Sequence, residues 1–76
     1  MSLSEAPIDQ VLKVVFIDSG EETKRKLQAM GLFVDNAVIR VSSNRWGPIL
    51  ICDANTTAAK MAIGRNIARK IKVEHA

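Results

Sequence analysis

The sequence has few of the residues on which catalysis and metal binding usually depend. Among its 76 residues there is one cysteine, one histidine and no tyrosine. With Cys52 alone, neither an intramolecular disulfide nor a cysteine-only zinc knuckle can form. Cys52 also ends the apolar run Ile49-Leu50-Ile51-Cys52, which favours a small buried side chain over a metal ligand. We therefore expect no bound metal and no cofactor.

An enzyme is not expected either. The single histidine, His75, lies in a terminal segment that we expect to fray, so no fixed base stands beside a nucleophile. The acidic residues fall in turns and at the start of a predicted helix, where capping and solubility explain them. The sequence contains no phosphate-binding loop, which excludes a GTPase of the P-loop class.

Long apolar runs and a targeting pattern are also missing. No apolar stretch approaches the roughly 20 residues that cross a bilayer, and residues 1–7 lack the basic and apolar regions of a signal peptide. Because the absence of disulfides fits a reducing compartment, we expect a cytoplasmic protein without membrane insertion. The net charge of +3 permits contact with phosphates or an acidic protein but requires neither.

What the sequence does have is enough apolar material for one small domain. Hydrophobic residues make up 47% of the chain, and a chain of this length has room for a single core. We interpret residues 1–10 as a loose N-terminal arm or an edge segment, with Met1 to Leu3 as a candidate remnant of an expression vector. Residues 11–76 then form the folded domain.

The first part of this domain predicts a strand followed by a helix. Val11–Ile17 is β-branched and aromatic with apolar residues on both faces, which predicts a well-covered strand with Phe16 in the core. Ser19 and Glu22 have the spacing of a helix capping box. Gly31 suits the left-handed position just after the end of the helix.

The second part predicts short strands and turns. The strands are expected at Ala37–Val41, Pro48–Cys52, Ala58–Met61 and Lys72–Val73. The spacing of Ile63, Ile67 and Ile71 predicts one or two helical turns before the last strand. Five short strands with two brief helices favour a mainly β fold closed as a small barrel, because closure removes exposed strand edges.

Three segments of the chain also form an ordered pattern. They are Lys26-Leu27-Gln28-Ala29-Met30-Gly31-Leu32, Trp46-Gly47-Pro48 and Ala68-Arg69-Lys70-Ile71-Lys72-Val73. In their order and spacing, over about residues 11–73, they resemble the ferrous iron transport protein A (FeoA) family. Two departures stand out. Val34-Asp35 occupies the place of the family's usual Pro-Gly, and Lys26 replaces the usual arginine, which keeps the charge but loses the planar fork.

The resemblance implies an SH3-like barrel that acts in the cytoplasm as a non-catalytic accessory of ferrous iron uptake and iron homeostasis. Its implied partner is the membrane transporter FeoB or the cytosolic G-protein domain of FeoB. The barrel also resembles the module appended to iron-dependent repressors of the DtxR type, although no winged-helix domain is encoded in this sequence. A basic small barrel that binds nucleic acid is a further alternative, but three aromatic residues and a charge of +3 favour a protein partner.

Two segments are candidate contacts for such a partner. Arg45, Trp46 and Pro48 belong to a turn-rich segment, and tryptophan and arginine are enriched in interface hot spots. For Trp46 a lid folded over the core is slightly favoured over an outward position, because so small a domain needs its apolar area. Leu32 and Phe33 begin a run of three apolar residues that cannot all point inward. An exposed patch of this kind would equally allow a homo-oligomer.

Overall fold

The computed structural model describes the backbone of residues 1–41 and 46–76, and the side chains of all of these except residues 56–59. The described elements follow one another as a 3-10 turn, Leu3–Glu5; strand β1, Val11–Ile17; helix α1, Glu21–Ala29; strand β2, Ala37–Arg40; strand β3, Ile49–Asp53; strand β4, Thr56–Ile63; helix α2, Arg65–Ala68; and strand β5, Ile71–His75.

The strands form one antiparallel sheet. Its order is β4-β3-β2-β1-β5, so the first strand of the sequence lies between the second and the last. The predicted mainly β fold is confirmed, with one helix after the first strand and a short helix before the last. The sheet order leaves β4 and β5 as the outer strands.

Among the described residues, the core is built from aliphatic side chains and Cys52. Every aromatic residue of the chain lies outside it. Cys52, on β3, is buried and free, as its apolar neighbours predict. The fully buried large side chains come from every part of the chain: Leu3, Leu12, Val14, Leu32, Val38, Ile49, Ile51, Ile71 and Val73.

A β-bulge in β1 overturns the prediction that Phe16 is in the core. Leu12 and Val14 point inward, and strict alternation would place Phe16 there as well. The pairing of β1 with β5 is irregular between Val14 and Phe16, where the register shifts by one residue. The bulge turns Phe16 outward and brings Ile17 into the core. The prediction that β1 is covered on both faces is therefore wrong.

Helix α1 ends as the sequence predicts but begins differently. Gly31 adopts a positive φ of 95° just after the helix, a conformation that glycine reaches without steric cost. At the other end the cap residue is Gly20, and no side chain caps the helix. The predicted capping box of Ser19 and Glu22 is wrong because the helix begins one residue later than that motif requires.

The isoleucines at helical spacing near the end of the chain belong to three different elements. Ile63 lies in β4, Ile67 in α2 and Ile71 in β5, and only Arg65–Ala68 is helical. Ile63 and Ile71 are buried, and Ile67 packs against the same core. The spacing therefore correctly indicated burial, and the four-residue helix α2 is the single turn at the lower end of the prediction.

The N-terminal residues are packed on the domain as an edge segment, which is the second of the two sequence interpretations; the loose arm is wrong. Leu3 and Ala6 belong to the core. The Met1 carbonyl accepts a hydrogen bond of 2.8 Å from the Val73 amide, and Ser2 forms a bridge with Lys72. The segment thus extends the sheet beside β5 and covers the outer edge of that strand.

The buried side chain of Arg40 holds the N-terminal segment through hydrogen bonds to its backbone. Its Nη1 donates hydrogen bonds to the carbonyls of Ser4 and Ala6, at 3.0 and 2.9 Å. The side chain is buried, and burial lowers the pKa of Arg40, with a smaller effect from nearby Arg65. Because arginine titrates so far above neutrality, the guanidinium still carries its charge at pH 7.

Candidate protein-binding surface

Three aromatic side chains are presented to solvent. Phe16 on β1 is 53% exposed, Phe33 after α1 is 46% exposed, and Trp46 before β3 is 83% exposed. These are all the aromatic residues that the sequence contains. The favoured interpretation of Trp46 as a lid on the core is wrong, and the alternative, an outward tryptophan, describes the structure.

Two of these rings border one groove between β1 and α1. We call it the β1–α1 groove. It has a volume of about 330 Å³ and is lined by Phe16, Ile17, Lys24, Gln28, Phe33 and Val34. Phe16 reaches it because of the bulge, and Phe33 and Val34 reach it from the turn that follows α1. The groove therefore depends on a break in strand register as well as on the helix.

The turn after α1 separates one buried residue from two exposed ones. The Leu32 amide donates to the Leu27 carbonyl at 2.9 Å, and the Leu32 side chain is fully buried. The Phe33 amide donates to Asn36 Oδ1 at 2.6 Å, which holds Phe33 and Val34 at the surface. Leu32 thus serves the core and cannot present its side chain to a partner, whereas Phe33 can.

Asp35 gives this turn its shape. Its φ is +76°, in the region where the Pro-Gly of the family pattern would supply a glycine. The Asp35 amide donates to the Val14 carbonyl at 2.7 Å, which ties the turn to β1. Its carboxylate lies 3.7 Å from Lys13 Nζ in an exposed ion pair. The loss of Pro-Gly has therefore not removed the turn.

The remaining candidate contacts lie before β3. Pro48 is exposed, as is Trp46. Arg45, the third candidate of this segment, lies outside the described residues. Gly47, between Trp46 and Pro48, has a φ of +87°, which only glycine adopts readily. Of the sequence-predicted contacts, Phe33, Trp46 and Pro48 are thus at the surface, and Phe16 is an exposed aromatic that the sequence interpretation missed.

The groove is bordered by positive charge. Lys24 lines it, and neither Lys24 nor the adjacent Arg25 forms an ion pair with any residue that the structure describes. Lys26, one residue further, pairs with Glu22 at 3.7 Å. Lys24, which has no ion pair among the described residues, lies beside exposed aromatic rings, and an acidic, apolar surface can complement this arrangement.

Metal ligands do not converge in the described part of the chain. No group of three or more histidine, cysteine or acidic side chains comes together there. Of the helices formed by residues 1–41 and 46–76, none has the length and hydrophobicity of a transmembrane span.

Comparison with known proteins decides the family. The family model of the FeoA domain matches residues 1–75. The chain belongs to the FeoA family. The match includes the N-terminal segment, in agreement with the burial of Leu3 and Ala6.

Solved structures agree with this assignment. The crystal structure of an iron uptake regulatory protein (FeoA) has a TM-score of 0.86 and 29% identity, covering 100% of this chain and 97% of its own. A zinc-complexed FeoA of Stenotrophomonas maltophilia, described as a prokaryotic SH3-domain protein, has a TM-score of 0.70 and 21% identity, covering 97% of this chain and 89% of its own. The SH3-like fold predicted from the resemblance is thereby confirmed.

A manganese regulator shares the fold as well. The manganese regulator SloR aligns over 100% of this chain and 34% of its own, with a TM-score of 0.81 and 10% identity. At that identity the likeness concerns the fold alone. No curated protein sequence matches the chain.

Proposed function

We propose that this FeoA-family protein is a non-catalytic, cytoplasmic accessory of ferrous iron uptake that binds the membrane transporter FeoB through the transporter's cytosolic G-protein domain. The single observation that carries the proposal is the exposure of all three aromatic residues, Phe16, Phe33 and Trp46. The family relationship supplies the process, and the exposed rings supply the means of binding.

The energetics support a binding role for these rings. Burying one large apolar side chain stabilises a fold by about 1.5–3 kcal/mol. A domain of this length has a total stability of about 4–11 kcal/mol. Since Phe16 and Phe33 are already about half buried, leaving the three rings at the surface forgoes about 3–5 kcal/mol, a large part of that total. Aromatic residues exposed at such a cost are typical of interface hot spots.

The relatives supply the biological process. The Stenotrophomonas maltophilia protein is described as a candidate activating factor of bacterial ferrous iron transport, and the crystal structure with 29% identity as an iron uptake regulatory protein. A small domain that regulates a transporter must bind one of its states more tightly than another, since equal affinity for both shifts nothing. We therefore expect binding to depend on the nucleotide held by the G-protein domain.

Calorimetry with the soluble cytosolic domain of the transporter tests the proposal. The domain is titrated in three states: without nucleotide, with GDP and with a non-hydrolysable GTP analogue. We expect measurable binding with a different dissociation constant in at least one state. Phe33→Ala and Trp46→Ala should weaken it, whereas Ile8→Ala, which truncates an exposed aliphatic residue elsewhere, should not. Circular dichroism checks that each variant is folded. Absence of binding in all three states contradicts the proposal.

A further inference from the structure

We propose that the β1–α1 groove binds an amphipathic acidic segment, in which two large apolar side chains flank a carboxylate. The inference rests on the proposed function for the identity of the partner, a cytosolic segment of the transporter. Its chemistry is derived from the groove alone. The apolar side chains contact Phe16 and Phe33, and the carboxylate pairs with Lys24.

The walls of the groove are apolar and open. Phe16, Phe33 and Val34 are each about half exposed. The bulge in β1 orients Phe16, and the hydrogen bond from the Phe33 amide to Asn36 fixes the turn that carries Phe33 and Val34. Small-molecule sites enclose most of their ligand and orient it with several placed polar groups. Here the polar lining consists of Lys24 and Gln28, both on α1. These features match a peptide laid across the surface.

The positive charge of Lys24 favours an acidic partner for the groove. Lys24 lies on the groove and has no ion pair within the described part of the chain. The whole chain carries a net charge of +3. A second copy of this chain would bring further positive charge to the groove, whereas an acidic segment complements it. Complementary charge of this kind directs partner choice and orientation.

Two synthetic peptides of ten residues test the groove without the transporter. One carries leucine and phenylalanine on one face with glutamates beside them, and the other replaces each glutamate by lysine. Heteronuclear NMR follows the amide shifts of the full chain during titration. The acidic peptide should shift the amides of Phe16, Lys24 and Phe33 and bind at least fivefold more tightly than the basic one. Equal affinities, or shifts confined to the region of Trp46, would overturn the inference.

Paired charge reversals on α1 supply the second arm. Lys24→Glu should weaken acidic-peptide binding roughly tenfold, because an attraction becomes a repulsion. Arg25→Glu changes the net charge equally but alters a side chain that does not line the groove, and it should weaken binding less than threefold. Equal effects of both substitutions would mean that overall charge alone attracts the peptide, which refutes a defined site.

Lys24→Glu and a second groove variant, Phe16→Ser, are titrated with the transporter's cytosolic domain to separate the two proposals. If the domain binds and Lys24→Glu and Phe16→Ser leave its affinity unchanged, the groove is refuted while the proposed function stands. If the acidic peptide binds the groove and the domain fails to bind in every nucleotide state, the proposed function is refuted while the chemistry of the groove stands. Concentration-dependent dimerisation that Phe33→Ala abolishes would assign the groove to a second copy and overturn the inference.

Discussion

Replacing Arg40 by methionine should loosen the N-terminal segment and destabilise the whole domain. Arg40 Nη1 donates hydrogen bonds to the carbonyls of Ser4 and Ala6, across 36 and 34 residues of sequence. The Arg40→Met side chain keeps most of the buried stem but has no donor. The Ala6 carbonyl, whose bond is buried, then loses its donor, while the Ser4 carbonyl is partly accessible to water.

The magnitude follows from these two bonds. A hydrogen bond to a charged group contributes about 1.5–3 kcal/mol, and the second, partly exposed one less. Removing the charge also relieves its desolvation, which offsets part of the loss. We expect a net decrease of about 2–4 kcal/mol in the free energy of unfolding. For a domain of this size that corresponds to a fall in melting temperature on the order of 10–20 °C.

Chemical denaturation followed by circular dichroism measures this change, with Arg25→Met as the control. Arg25 is exposed on α1, so its replacement should change the unfolding free energy by less than about 0.5 kcal/mol. Hydrogen exchange gives a local readout, because the Val73 amide is bonded to the Met1 carbonyl and should lose protection first in Arg40→Met. If Arg40→Met unfolds like Arg25→Met, the N-terminal segment is not held by this guanidinium and the reasoning fails.

Three further predictions test other parts of the structure. Leu3→Ala, at a fully buried site, should lower the free energy of unfolding by about 2–4 kcal/mol, whereas Ile8→Ala, at an exposed site, should lower it by less than about 1 kcal/mol. Equal decreases in chemical denaturation would mean that the N-terminal segment is a loose arm and does not pack on the core. Asp35→Gly should stabilise the domain by up to about 1 kcal/mol and Asp35→Ala should destabilise it, because the φ of Asp35 is positive; the same sign for both would contradict this. Hydrogen bonds from Ser2 hold the pKa of Glu5 below its ordinary value of 4.5, so the stabilisation is present above that pH and is lost as the pH falls through the lowered pKa. In Ser2→Ala the pKa of Glu5, followed by carbon NMR, should rise; an unchanged value would refute the assignment.

Local signals were sufficient for the elements. The β-branched run Val11–Ile17 predicts β1 with its observed bounds, and Gly31 predicts the end of α1. These features depend on propensities and on backbone conformations that a few neighbouring residues determine. The apolar spacing of Ile63, Ile67 and Ile71 likewise predicted which side chains approach the core, although only one of them is in a helix.

Features that depend on contacts between residues distant in the sequence could not be predicted from the local pattern. Whether Phe16 points inward depends on the register of β1 against β5, whose residues lie more than fifty positions away. The carbonyls of Ser4 and Ala6 accept hydrogen bonds from Arg40 on β2. Nothing in the sequence of residues 1–10 indicates that this distant arginine is their donor. The candidate surface was therefore half predictable. Phe33, Trp46 and Pro48 were named as candidates from composition and turn chemistry. The outward position of Trp46, the exposure of Phe16 and the burial of Leu32 required the tertiary structure.

The fold and the candidate surface use different residues, and this separation has a consequence for experiment. The core consists of leucine, isoleucine, valine, alanine and Cys52, while the aromatic residues stand outside it. In most small domains a substitution that abolishes binding also risks unfolding, because the same large side chains serve both purposes. Here Phe33→Ala and Trp46→Ala remove exposed rings and leave every fully buried side chain in place. We expect each variant to lose binding while its free energy of unfolding stays within about 1 kcal/mol of that of the original chain. That result would mean that the exposed rings contribute to binding the partner and not to the stability of the fold.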